Sequence, residues 1–201
     1  LESYEGYVIG ATATPVTTNK LYPLKNLLES IVTPVSINTL INLGRLSKPK
    51  TFARVPKKFN ELKKVGGEYS EKTQNDVFNN REVFNGLLED YKANLRDKKG
   101  IVFCCSISHA IACYDSLKNE GVNVFLVHSK MSDKDRVESV GNFGQSKNGV
   151  MVNCGILTTG YDEPTINFVM INRATTSLAL WLQMIGRASR TITGIKDSFE
   201  I

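Results

Sequence analysis

The chain has 201 residues, of which 41% are hydrophobic and 22% charged, a balance typical of a globular protein with a substantial core. No apolar run is long enough to span a bilayer, the N-terminal LESYEGYVIG lacks the basic start of a signal peptide, and the formal net charge is only +5. The four cysteines form no Cys-x-x-Cys pair. We therefore expect a cytoplasmic protein with reduced cysteines, no membrane association and no metal site.

The first half of the chain predicts short elements between polar stretches. Residues 7–11 (YVIGA) predict a strand that ends at a turn, and residues 36–43 predict a short helix with a serine cap. Residues 49–55 (PKTFARV) predict another strand. The polar residues 56–75 predict a mobile loop, whereas residues 76–95 place apolar side chains at helical spacing.

The second half of the chain alternates apolar runs with helical patterns. Strands that are apolar throughout are buried on both faces, so this alternation predicts an α/β domain with a doubly wound parallel sheet. The predicted strands are 101–105, 122–128, 149–154 and 166–172. Serines at 106 or 108, 132 and 177 are placed to cap the helices that follow. Ligands of such sheets bind where the strands end, so the informative loops should follow Cys105, His128, Cys154 and Asn172.

A basic stretch lies between residues 45 and 64, where eight Lys or Arg accompany a single acid, Glu61. Such a stretch is typical of a nucleic-acid footprint, but it is equally typical of a solvated linker. Composition leaves both readings open.

The chain contains no convincing phosphate-binding loop. GGEYSEKT (66–73) has glycines and a Lys-Thr pair, but it lacks the second glycine before the lysine and a preceding apolar strand. DEPT (162–165) carries two acids, yet its proline and the preceding glycine-bearing loop argue against a magnesium-binding role.

Two later loops carry groups suited to a nucleotide. Thr158, Thr159 and Gly160 form a polar turn after the third strand, and the Asp162 carboxylate could either accept a ribose hydroxyl or cap its own loop.

QMIGRASR (183–190) places Gln183, Arg187 and Arg190 on or near one helix face, and Gly186 leaves room beside Arg187. Arginine suits phosphate because its planar fork stays charged and donates twice. A basic helix end that complements the helix dipole is the alternative, and it explains Arg190 better than it explains the glutamine and glycine.

Four segments, in order, resemble the signature motifs of superfamily 2 helicases and translocases. They are ATATP (11–15), IVFCCSISHA (101–110), VNCGILTTGYDEP (152–164) and QMIGRASR. The longer stretch RATTSLALWLQMIGRASR is most similar to the branch of RadD-like and type III restriction helicase subunits. The resemblance covers roughly residues 7–15 and 96–201.

The resemblance implies a RecA-like fold and a division of the chain into three parts. Residues 1–15 would be the last strand and a motif of a preceding RecA-like domain, 16–95 a linker with helical and basic segments, and 96–201 the C-terminal helicase domain. ATP and Mg²⁺ would be bound mainly by that preceding domain, whose phosphate loop and acidic motif this chain lacks. The chain alone would then hydrolyse little or no ATP.

The resemblance also assigns roles to individual residues. Arg187 matches the arginine finger, Arg190 a second phosphate-contacting arginine, and Gln183 a coupling residue. Gly160 and Asp162 match positions near the ribose and the interdomain cleft. Thr159 departs from the acid or arginine that many relatives have there. The candidate nucleic-acid contacts are Thr12, Thr14, Ser106, Ser108, His128, Ser129, Thr158 and Thr159, with Lys57 and Lys58 from the basic stretch.

Two expectations follow from these assignments, and two alternatives stay open. DNA is favoured over RNA as the partner, because of the branch that the chain resembles. Arg187 and Arg190 should lie on an exposed face without a counter-ion of their own. His128 could instead be a core histidine, and the alternative for the whole chain is a non-catalytic nucleic-acid-binding or scaffold module that keeps the helicase fold.

Overall fold

The structure is a computed structural model, and it describes residues 6, 9–12, 14, 26, 28–33, 35–157 and 161–201. Its centre is a six-stranded, fully parallel sheet with the order β1-β8-β7-β4-β6-β5. The strands are β1 (Lys48–Lys50), β4 (Gly100–Cys104), β5 (Val124–His128), β6 (Val150–Cys154), β7 (Phe168–Asn172) and β8 (Ser198–Glu200). A separate antiparallel hairpin pairs β2 (Lys64–Val65) with β3 (Glu68–Tyr69). The predicted α/β class and parallel sheet are confirmed.

The helices cover both faces of the sheet. They are α1 (Ile37–Asn42), α2 (Glu71–Phe78), α3 (Arg81–Asp90), α4 (Ile107–Asn119), α5 (Asp133–Gln145) and α6 (Leu178–Gly186). One core cluster joins α3 and α4 to alternate residues of the central strands, such as Val102, and the other joins α5 and α6 to the intervening residues, such as Phe103. Because successive strand residues face opposite sides, both faces of β4 are buried, as its continuous apolar run predicts.

The predicted serine caps are confirmed. Ser36, Ser106, Ser132 and Ser177 each accept a hydrogen bond from the backbone N–H three residues later. These bonds satisfy N–H groups that have no partner within their own helix, which is why short polar residues mark helix starts so reliably.

The prediction of a mobile loop at 56–75 is wrong. The segment contains a short 3-10 helix at Phe59–Glu61, the β2–β3 hairpin and the start of α2. Gly66 and Gly67 both have positive φ angles, 61° and 89°, which is the geometry of a tight hairpin turn. The sequence did not reveal the hairpin, because strands of two residues are too short to show an alternating pattern.

Two other local predictions need correction. The strand expected at 49–55 ends at Lys50, although one more hydrogen bond joins the Phe52 N–H to the carbonyl of Ile201. The helical region expected at 76–95 is broken at Asn79 and Asn80, and the Asn80 side chain caps α3.

The strand predicted at 7–11 falls partly outside the described residues. Those that the structure describes there, 9–11, belong to no helix or strand, and Ile9 is 93% exposed. Without a neighbouring strand to pair with, an apolar pattern alone does not form a sheet.

Candidate functional site

The two arginines of QMIGRASR lie at the end of α6, but not on one continuous helix. Arg187 caps the helix with helical backbone angles, whereas Arg190 lies in an extended segment whose backbone bridges to Leu46. Helical spacing therefore describes the relation of Gln183 to Arg187 but not that of Arg187 to Arg190. Gln183 is half-buried.

Both arginines contact the end of the third motif, in the loop between β6 and β7. Arg190 forms an ion pair with Asp162, and Nη1 of Arg187 donates to the Tyr161 carbonyl at 2.5 Å. Burial lowers the pKa of the Arg187 guanidinium below its ordinary value. The expectation of no counter-ion is therefore wrong for Arg190, and the expectation of an exposed face is wrong for both arginines, which are half-buried.

Two buried lysines also hold this loop. Lys99, only 1% exposed, lies 3.3 Å from the Glu163 carboxylate and donates to the Gly144 carbonyl at 2.8 Å. Lys196 donates to the carbonyls of Pro164, at 3.2 Å, and Ala188, at 2.7 Å. Four consecutive loop residues are thus each bound by a different cationic side chain, in the order Arg187, Arg190, Lys99 and Lys196.

Lys196 joins this loop to the segment that carries the arginines. Its Nζ bridges a loop carbonyl and a carbonyl two residues before Arg190. Burial lowers the pKa of Lys196 to about 8, and the positive charge of Arg190 acts in the same direction. Sequence reasoning missed this residue, because nothing in the pattern around TGIKD indicates that a lysine is buried.

The backbone of Arg190 is anchored by Ser47, from the segment between α1 and β1. The Ser47 N–H donates to the Ser189 carbonyl at 2.7 Å, and its hydroxyl donates to the Arg190 carbonyl at 2.8 Å. Ser47 is buried. The predicted connecting region therefore helps to build the arginine site.

Ser106 and Ser108, two predicted nucleic-acid contacts, are engaged by α2. Both hydroxyls donate to Oδ1 of Asn75, at 2.7 and 3.0 Å. Ser106 is buried and also caps α4, whereas Ser108 is exposed. The structure therefore gives Ser106 a role in folding.

The hairpin and α2 pack against the loop that follows β7. Glu68 accepts hydrogen bonds from the Thr175 hydroxyl at 2.7 Å and the Thr176 N–H at 2.9 Å. The buried Gln74 accepts one from the Ala174 N–H at 2.9 Å. This docking surface was not predicted, because its residues are a hundred positions apart in the chain.

The remaining predicted nucleic-acid contacts differ in burial and in hydrogen bonding. His128 ends β5 and is half-buried, and its Nδ1 has no hydrogen-bond partner among the described residues, while Ser129 is exposed. The Thr14 N–H donates to the Thr12 hydroxyl at 3.1 Å. Thr158, Thr159 and Gly160 lie outside the described residues.

The basic stretch 45–64 is partly neutralised by α3. Arg54 pairs with Asp90 at 3.0 Å and with Glu89 at 3.2 Å, and Lys57 pairs with Glu82 at 3.0 Å. Such exposed pairs contribute little stability and are easily exchanged for another anion. Lys57 and Lys58 line a cleft of about 470 Å³ that reaches Asn172 at the end of β7.

Cys105 and His109 resemble a nucleophile and its base, with 3.2 Å between Sγ and Nδ1. Burial raises the pKa of the Cys105 thiol to about 12 and lowers the pKa of His109 to about 4. Both groups are therefore neutral near pH 7, and the pair is inert as a nucleophile. Within the described residues, no group of three or more His, Cys, Asp or Glu is placed to hold a metal ion.

Comparison with known proteins agrees with this architecture. Residues 80–191 match the family described as "Helicase conserved C-terminal domain". The chain is 26% identical over 187 residues, 91% of its length, to the ATP-dependent helicase IRC3 of Saccharomyces cerevisiae. Over 104 residues, 51% of the chain, it is 28% identical to the pre-mRNA-processing ATP-dependent RNA helicase PRP5 of Kluyveromyces lactis.

A solved structure shows the same fold. It is a fragment described as the HsdR subunit of a type I restriction enzyme from Vibrio vulnificus YJ016, and it matches with a TM-score of 0.64 and 22% identity over 79% of this chain and 32% of its own. The chain spans 27% of the IRC3 protein and 13% of PRP5. Among the described residues, no helix has the length and apolarity needed to cross a membrane. The chain therefore belongs to the helicase conserved C-terminal domain family, matched over residues 80–191, and has the RecA-like fold of superfamily 2 helicase C-terminal domains.

Proposed function

We propose that this domain supplies the arginines of an ATP-driven nucleic-acid motor. In this proposal, a second RecA-like domain holds ATP and Mg²⁺, and Arg187 and Arg190 reach the γ-phosphate across the cleft between the domains. ATP supplies the phosphoryl group whose transfer develops negative charge, and fixed arginines stabilise such charge. The observation that carries the proposal is the convergence of Arg187, Arg190 and Asp162 at one place on the surface.

The ion pair between Arg190 and Asp162 supports a switching role. Both side chains are partly exposed, at 42% and 63%, so water screens the pair and its exchange costs little. In the proposed motor, Arg190 leaves Asp162 for phosphate, and the carboxylate becomes available to a ribose hydroxyl. Arg187 donates to a backbone carbonyl instead and extends from the end of α6.

The proposed nucleic-acid track lies along the edge where β4, β5, β6 and β7 end. Ser108, His128 and Ser129 lie at this edge, and Lys57 and Lys58 border the adjoining cleft. We propose DNA in preference to RNA, on the likeness of the RATTSLALWLQMIGRASR stretch to RadD-like and restriction helicases. Competition between single-stranded DNA and RNA of equal length for this chain tests that preference, and tighter binding of RNA would overturn it.

The test of the motor is hydrolysis by a protein that joins this chain to a RecA-like domain with a phosphate loop. Arg187→Ala should retain ATP binding but lose hydrolysis by about 10³-fold or more, because it removes one arginine from the developing charge. Lys130→Ala, at an exposed position after β5, is the matched control. An Arg187→Ala protein that hydrolyses ATP normally would show that the arginine has another role.

A second candidate is a scaffold that binds nucleic acid without hydrolysis. The observation that favours it is the ion pair itself, since Arg190 already has a counter-ion within the domain. The two candidates separate in the same assay. A motor loses hydrolysis with Arg187→Ala, whereas a scaffold joined to a phosphate-loop domain shows no nucleic-acid-stimulated hydrolysis to lose.

A further inference from the structure

Arg173 is the first residue after β7, at the edge of the sheet where the strands end. It is half-buried, yet its Nε has no hydrogen-bond partner, and no ion pair of its guanidinium occurs among the described residues. Burying part of a guanidinium without a partner is costly, so such a group is expected to have an acceptor in the working protein.

Glu68 is an acid whose charge acts on Arg173, but it already accepts three hydrogen bonds from other groups. Its two oxygens accept from the Tyr69 N–H, the Thr176 N–H and the Thr175 hydroxyl. Burial alone would raise the pKa of Glu68, but these hydrogen bonds and the charge of Arg173 lower it below its ordinary value. Glu68 therefore keeps its charge to hold the loop and gives Arg173 no direct hydrogen bond.

The charge of Arg173 reaches across the ends of neighbouring strands. It opposes the effect of burial on two thiols, Cys105 after β4 and Cys154 at the end of β6, whose pKa values burial raises. Since β4 lies between β7 and β6, this charge acts on groups at the carboxyl ends of three adjacent strands. His128 Nδ1 at the end of β5 and Asn172 Nδ2 beside Arg173 are also buried without hydrogen-bond partners in the described structure.

We propose that Arg173 is a further nucleic-acid-binding residue of this domain and donates to a phosphodiester oxygen that lies across the ends of β7 and β4. The inference rests on the proposed function and adds a residue that the sequence motifs do not assign. A phosphate oxygen is a suitable acceptor for the Arg173 guanidinium, because it is charged and the planar guanidinium can donate two hydrogen bonds to a phosphate. Such a contact does not depend on the base sequence. The cleft that Lys57 and Lys58 line reaches Asn172, the neighbour of Arg173, although Asp76, Glu82 and Asp90 line it as well.

The test measures binding of fluorescein-labelled oligothymidine and oligouridine to the 201-residue chain by fluorescence anisotropy over a range of salt concentrations. Arg173→Gln should weaken binding roughly tenfold at low salt, the effect of one charge-assisted contact. The slope of log affinity against log salt should fall by about 0.7, the contribution of one phosphate on a single strand. Arg173→Lys should retain most of the slope, because it keeps the charge and loses only the fork.

Arg96→Gln is the matched control, because Arg96 is exposed and precedes β4, on the side of the sheet where the strands begin. It should bind as the unmodified chain does. Unfolding midpoints of all variants are measured in parallel, so that a loss of binding caused by unfolding is recognised.

The outcomes distinguish a failure of the proposed function from a failure of the role assigned to Arg173. An unmodified chain that binds neither oligonucleotide overturns the proposed function. An unmodified chain that binds, with Arg173→Gln showing the same affinity and salt slope, overturns the role of Arg173 alone. If Arg173→Gln fails to fold, Arg173→Lys decides. A folded lysine variant that loses both its affinity for the oligonucleotides and the salt slope would contradict a contact made through charge.

Discussion

Replacing Lys196 with methionine should remove a distinctive part of the pH dependence of this domain's stability. Lys196 is 6% exposed, and its ammonium is held by the carbonyls of Pro164 and Ala188 near the charge of Arg190. Burial lowers its pKa to about 8, against an ordinary value of 10.5. The folded chain therefore releases this proton at a lower pH than the unfolded chain does.

The sign follows from the protons bound in each state. Below pH 8 the lysine is protonated in both states, so the free energy of unfolding bears the full cost of burying the charge. Between pH 8 and 10.5 the unfolded chain binds more protons, so the stability contributed by this group increases with pH. At about 1.4 kcal/mol per pKa unit the upper limit is about 3 kcal/mol, and partial solvent screening reduces the expected gain to about 1–2 kcal/mol.

The assay is urea unfolding of the unmodified chain and Lys196→Met at several pH values from neutral to alkaline. The difference between their free energies of unfolding isolates Lys196, because the other titrating groups are common to both chains. That difference should grow by about 1–2 kcal/mol in favour of the unmodified chain as pH rises through the window. Lys130→Met, at an exposed lysine, should show no such trend. A difference that stays constant with pH would refute the reasoning.

Two further predictions concern the docking of α2 and the end of α6. Gln74→Ala should lower the free energy of unfolding by about 2–4 kcal/mol, because it leaves the buried Ala174 N–H and the Tyr69 carbonyl without their hydrogen bonds to Gln74. Urea unfolding measures this loss, and Gln145→Ala, at an exposed glutamine, is the control. Equal losses in the two variants would contradict the prediction. Gly186→Ala should raise stability by about 0.5 kcal/mol in the same assay, because an added Cβ would contact nothing and alanine favours helix. A loss of stability would show that Gly186 is needed within the domain, whereas a gain accompanied by slower hydrolysis in the two-domain protein would place its role in the cleft.

Local sequence determined the regular half of this protein. Continuous apolar runs predicted strands that are buried on both faces. Serines before apolar periodicity predicted helix starts at Ser106 or Ser108, at Ser132 and at Ser177, and the structure has Ser106 as the first of these caps. These signals are reliable because the alternation of buried residues along a strand and the cap of a helix each depend on residues only a few positions apart. The resemblance of four motifs, together with this alternation, indicated the fold, which the structure and the family match confirm.

Only the tertiary structure decided how the candidate site is arranged. The pairing of Arg190 with Asp162, the buried bridge made by Lys196 and the packing of Gln74 against Ala174 each join residues whose proximity depends on the whole sheet. The hairpin at 64–69 was concealed for a related reason, since its strands are too short to show a period and are held by Glu68 contacting a loop a hundred residues later. Periodicity reports which face of an element is buried, whereas the partners of a polar or charged side chain depend on contacts that are distant in sequence.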